Sequence, residues 1–140
     1  MTIGEAVYAF LSAQPAIAAL AGDRILPDMA VQETAYPRIV FYRAGTARGK
    51  QLVSRTGLPQ SRYTIEAWDL TRKGADNLAD AVRQALQAFG ELPSPKPPWG
   101  TVQVTAMSIE DQASDFTPPQ DTSDIGAYRT RLEVNLWHQE

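Results

Sequence analysis

The sequence predicts an α+β fold: an antiparallel sheet of about four main strands with helices packed on one face. Three observations lead there. Apolar residues recur at helical spacing over 3–11 and again over 71–89. Strict alternation marks strands over 38–44, 61–69 and 128–138, and 101–109 also reads as a strand. The order helix, helix, strands, helix, strands lets the long helix serve as the crossover between an early hairpin and two late strands.

The first helix places Ile3, Val7, Phe10 and Leu11 on one face, with Thr2 as its cap. Pro15 suits the first turn of a second short helix, whose stripe is Ala16, Ile17 and Leu20 and whose stop is Gly22. Residues 24–26 form a short strand before Pro27, and 28–37 is loop. In the next strand Ile39 and Phe41 oppose Val40 and Tyr42, so both faces are partly covered. The strand after it sets Tyr63, Ile65 and Ala67 against Arg62, Thr64, Glu66 and Trp68. A polar loop containing Gly45, Gly49, Gly57 and Pro59 joins the two as a long hairpin.

The clearest helix carries Leu78, Val82, Ala85, Leu86 and Phe89, with Thr71 as cap and Gly90 as stop. A stiff connector with Pro93, Pro95, Pro97 and Pro98 follows, too short to separate domains. The strand over 101–109 then gives way to an acidic loop over 110–124. In the last strand Tyr128, Leu132, Val134 and Leu136 point one way, while Arg129, Arg131, Glu133, Asn135 and Trp137 point the other.

Composition bounds what this chain does. Its 140 residues suit one domain, 1–140, and a formal net charge of -3 gives no global pull toward nucleic acid or an anionic membrane. With no cysteine there is no disulfide, thiolate metal site or cysteine nucleophile. The apolar stretch 6–20 is interrupted by Ser12, Gln14 and Pro15 and lacks signal-peptide flanks, so the expected site of synthesis and folding is the cytoplasm. No phosphate-binding glycine motif occurs. The single histidine, His138, reads as a surface residue, and a histidine triad or a multi-histidine zinc site is excluded. Glu110, Asp111, Asp115, Asp121 and Asp124 cluster without a calcium-loop pattern; they are either a solvated loop or a metal site.

Charge is also segregated. Arg38, Arg43, Arg48, Lys50, Arg55 and Arg62 fall in a stretch with no acid, whereas 110–124 carries only acids. Either both segments are solvated, or a head-to-tail ring sets the basic loop of one subunit against the acidic loop of the next. Contact of the basic loop with DNA phosphates is a further use of it. Trp68 and Trp137 lie on the polar face of the sheet, where large aromatics favour a protein interface unless a loop or the connector at Trp99 covers them. The candidate interface residues are therefore Arg48, Lys50, Arg55, Trp68, Trp137, Asp111, Asp115 and Asp121.

Several segments, in order, resemble the small tail-completion (tail-terminator) proteins of long-tailed phages, prophages and gene-transfer particles. They are 19–25 (ALAGDRI), 36–41 (YPRIVF), 62–68 (RYTIEAW), the helix positions Ala75, Leu78, Ala79, Val82 and Leu86, and Tyr128-Arg129 with 134–137 (VNLW). The proline-rich run is longer than that pattern. The resemblance implies a structural, non-enzymatic subunit without cofactor that caps the head-proximal end of the tail tube as a hexameric ring. Its implied partners are copies of itself, the tail tube protein and head-tail connector proteins. Genome DNA would pass through the lumen without sequence-specific binding, and no membrane is involved. The subunit would be made in the host cytoplasm and end at the tail-head junction of the virion. Two other readings are a head-side connector or neck subunit, and a carboxylate-dependent metal enzyme using Asp111, Asp115 and Asp121.

Overall fold

The computed structural model describes residues 1–28, 35–47, 59–117 and 126–139. Helix α1 (Ile3–Ser12) begins with a reciprocal cap. Thr2 Oγ1 accepts from the Glu5 amide at 3.2 Å, and Glu5 Oε1 accepts from the Thr2 amide at 3.2 Å. The Thr2 amide, and then the Thr2 hydroxyl, donate to the Glu5 carboxyl and hold it below its ordinary range. Helix α2 (Pro15–Ala21) opens on proline and ends at Gly22, whose φ of 60° a side chain would resist. Its buried residues are Ile17 and Ala21; Leu20, expected in the stripe, is 40% exposed.

The sheet contains β1 (Ile25–Pro27), β2 (Arg38–Ala47), β3 (Gln60–Asp69), β4 (Val104–Thr117) and β5 (Ala127–His138). Their spatial order is β1-β2-β3-β5-β4. All neighbours are antiparallel except β1 and β2, which run parallel. Between β3 and β4 lies α3 (Arg72–Glu91), capped by Thr71 Oγ1 on the Gly74 amide at 3.0 Å. Gly90 does not stop α3. Lys96 folds back from the connector, and its Nζ donates to the carbonyls of Phe89 at 3.2 Å and Gly90 at 3.0 Å and to that of Leu92. A cation on the orphan carbonyls of a helix end replaces the glycine stop.

The three helices cover one face of the sheet, as the hydrophobic pattern requires. Ala75, Leu78, Ala79, Val82, Leu86 and Phe89 of α3 are buried against Ile65, Ala67, Leu132, Val134 and Leu136. The connector returns Trp99 to this core, stacked on Phe10 at 4.2 Å and edge-on to Phe89 at 5.1 Å. Trp99 therefore seals the helix side and does not cover Trp68 or Trp137. α1 and α2 meet at 84°, and no single helix among the described residues is long and apolar enough to cross a membrane.

Two expectations fail here. The acidic stretch is not a loop from residue 110, because β4 continues through it to Thr117. Among the described residues β4 pairs with β5 alone, so its exposed edge tolerates Glu110, Asp111 and Asp115. His138 is not a surface residue; it is 4% exposed, with Nε2 2.7 Å from Ser61 Oγ and Nδ1 2.9 Å from the Gln139 carbonyl. Its strand lies between β3 and β4, which makes this end of the chain interior.

Candidate functional site

Register decides which side chains share the face that carries none of the described helices. Arg38, Val40 and Tyr42 of β2 align with Trp68, Glu66 and Thr64 of β3. These in turn align with Arg129, Arg131 and Glu133 of β5, with Asn135 and Trp137 further along. Strand alternation puts all of them opposite the apolar set.

The centre of this face is Glu66, 6% exposed although no described element lies over it. Its carboxylate accepts from Tyr42 Oη at 3.1 Å, Trp68 Nε1 at 3.1 Å and Arg129 Nη1 at 3.0 Å. Arg129 in turn reaches across to β4, where Nε donates to Asp115 Oδ1 at 2.9 Å and Nη2 donates to Asp115 Oδ2. One guanidinium thus holds two carboxylates, one of them bidentate. Trp68 lies beneath two cations, with Arg129 5.5 Å and Arg38 5.9 Å from its ring centroid. Arg38 also sits 4.3 Å over the Tyr36 ring. A buried carboxylate is costly unless paired and bonded, and Glu66 is both.

The electrostatics follow from these contacts. The hydrogen bonds from Arg129, then its charge, hold the Asp115 carboxyl below its ordinary range, and the same bonds raise Arg129. Burial, then the Glu66 charge, pushes Tyr42 up. Near the other end, Glu110 accepts from Ser108 Oγ and Asn135 Nδ2, each at 2.7 Å, and its carboxyl is lowered by these bonds.

The candidate residues fall into four groups. Trp68 and Asp115 converge on Arg129. Trp137 shares their face but aligns with Gln60, about 27 Å along the strand from the Trp68–Arg129 row. The two tryptophans therefore do not form one patch. Asp111 is exposed in the row of Glu133, four rows or about 14 Å along the strand from Asp115. Arg48, Lys50, Arg55 and Asp121 lie outside the described residues. Among the described residues no group of three or more His, Cys, Asp or Glu could hold a metal ion. Glu66, Arg129 and Tyr42 organise the face, yet alternation alone marks them only as outward polar residues. Strand register, which puts Arg129 between Trp68 and Asp115 and diagonal to Glu66, was the missing signal.

A second surface differs in character. Grooves of about 560 Å³ and about 360 Å³ flank α1. The first is lined by Met1, Tyr8, Pro27 and Phe41, among others; the second by Ala13, Ala85, Ala88, Leu92, Pro98 and Trp99, among others. Only Glu5 among all their lining residues is charged.

Residues 5–122 match the model of the family described as "Tail completion protein gp17". A chain from the solved structure titled "Virion of native gene transfer agent (GTA) particle" superposes with a TM-score of 0.71 at 16% identity. The superposition covers 99% of this chain and 95% of that one, a likeness of fold. No protein among the curated sequences matches.

Proposed function

The chain belongs to the tail completion protein family, and from that premise we propose that it closes the head-proximal end of a tail tube as a hexameric ring and presents the surface that joins the head. Membership makes it a structural component of phage-type tails. The ring, the capping position and the head-joining role are the finer reading. The match over residues 5–122 carries it, since that span takes in the described helices, the first from Glu5 onward, and strands β1 to β4. In this reading the protein binds and does not catalyse. Its partners are copies of itself, the tail tube protein and connector proteins, and DNA passes through the lumen without sequence-specific contact. It assembles in the host cytoplasm and stays at the tail-head junction.

The helix-free face supports an interface role. Glu66 and Arg129 are already fixed, so docking there orders few side chains. Arg131 Nε and Asn135 Oδ1 are buried on this face without a partner among the described residues, and a docked neighbour would satisfy them. Trp68 and Trp137 supply aromatic anchors. Arg48, Lys50 and Arg55 would meet the acids Asp111, Asp115 and Asp121 of an adjacent copy. Of the two described acids, Asp115 is the less available, being held by Arg129.

Electron microscopy of lysates from a particle-producing strain lacking this gene tests the assignment. DNA-filled heads beside unjoined, over-long tails are expected. Intact particles in normal number overturn it. Tails of normal length that still fail to join would move the protein to the head side of the junction.

A further inference from the structure

β4 is a fourteen-residue strand at the edge of the sheet. Among the described residues no strand pairs with its outer side. Natural sheets blunt such edges with charge, proline or bulges, because an open row of amides and carbonyls templates pairing. β4 is blunted unevenly. Glu110, Asp111 and Asp115 guard its second half, while 105–109 reads Thr-Ala-Met-Ser-Ile, without charge or proline. Bulges fall at Val104/Ala106 and at Ile109/Asp111.

The opposite edge has a matching gap. β1 covers β2 only at Ile39, Val40 and Phe41, and no described strand lies outside β2 from Tyr42 to Ala47. The two gaps lie at the same height. Gly45, Arg62, Asn135 and Ser108 form one row across the sheet, and Arg43, Tyr63, Val134 and Ile109 form the neighbouring row. Strand polarity agrees as well. β2 runs with β5 and against β4, so a second copy placed beside the first in the same orientation sets its β2 antiparallel to β4.

We infer that copies of this chain join head to tail by antiparallel strand addition, the outer edge of β4 at 105–109 receiving the outer edge of the next copy's β2 at 42–47. The contact is heterologous, so repetition closes a ring or runs on as a filament. The bulge between Ile109 and Asp111 sits one row before the level where the next copy's β1 begins, and a bulge bends its strand there. This inference rests on the ring reading and specifies how neighbours in that ring touch.

The chain has no cysteine, which makes cross-linking clean. Gly45→Cys and Ser108→Cys are placed together in the full chain, which replaces the wild type in particle-producing cells. Facing Cβ atoms in an antiparallel pair lie about 4.5–5.5 Å apart, within reach of a disulfide after small adjustment. Oxidised particles should give a ladder of multimers on a non-reducing gel, and either single variant should give none. Normal particles without a ladder overturn the strand addition and leave the ring standing. A cross-link to a different protein overturns self-pairing. Absence of the wild-type chain from the head-tail joint overturns the ring reading itself. If the double-cysteine chain does not fold, the neighbouring row decides: Arg43→Cys with Ile109→Cys should give the same ladder, and normal particles without one overturn the strand addition.

Discussion

Ile65 and Glu66 are adjacent in sequence and face opposite environments. Ile65, with Val134 and Leu136, packs against Val7, Phe10, Leu11 and Leu86, and each of these is held by area removed from water. Glu66 is almost as buried, yet it is held by three directed bonds from Tyr42, Trp68 and Arg129. The covered face draws its stability from volume filled. The helix-free face draws its order from geometry, at little net gain, because each bond replaces one to water. Under the proposed function this division is useful, since a neighbour docking on the helix-free face would leave the face that holds the fold untouched.

Substitutions can break or sharpen that contrast. The largest effect belongs to the covered face. Leu86→Ala, at a side chain 1% exposed, should cost about 2–5 kcal/mol in urea unfolding. A cost below about 1 kcal/mol would mean the helix layer is not the main source of stability. Glu66→Ala should cost less, about 1–3 kcal/mol, because three donors lose their acceptor while the core stays full. If it matched Leu86→Ala, the helix-free face would be a second core.

Asp115 should contribute still less. Its folded pKa lies below the ordinary 3.8, so its contribution is complete above that value and is lost as pH falls through the lower folded value. The side chain is 47% exposed, and solvent screening limits the contribution to about 1 kcal/mol or less. Asp115→Asn should therefore flatten the acid limb of the stability curve and leave it unchanged at neutral pH to within about that amount. The smallest change in stability, within about 0.5 kcal/mol, is expected from reversing Arg48, Lys50 and Arg55 to Glu together. That variant should nevertheless fail in tail docking. Normal infectious particles from it would remove the basic loop from the interface.

The elements that follow one local rule were legible in sequence. α1 and α3 announce themselves by 3.6-residue periodicity and by Thr2 and Thr71, and β3 and β5 by alternation. What sequence hid was set by neighbours distant in the chain. The acids of β4 look like loop chemistry until the strand is known to lie at an edge. His138 looks exposed until β5 is known to run between two strands. Gly90 looks like a helix stop until Lys96 returns to cap the same carbonyls. The parallel pairing of β1 leaves no mark in three residues. Of the candidate site, the tryptophans and the acids were visible, but the arginine that ties Trp68, Glu66 and Asp115 together had no local signature.

The position of β5 also governs the order of events in time. β4 is synthesised before β5 but sits beyond it in the sheet, so β4 has no strand to pair with until β5 exists. The short-range β4–β5 ribbon can form as a unit, and so can the β1–β2–β3 sheet under the helices. The last step is then the docking of two preformed halves along the ten-residue β3–β5 seam, whose partners are far apart in the chain. Severing the proline-rich connector would leave each half with its own strand pairs, and refolding of the mixed halves should slow in proportion to dilution.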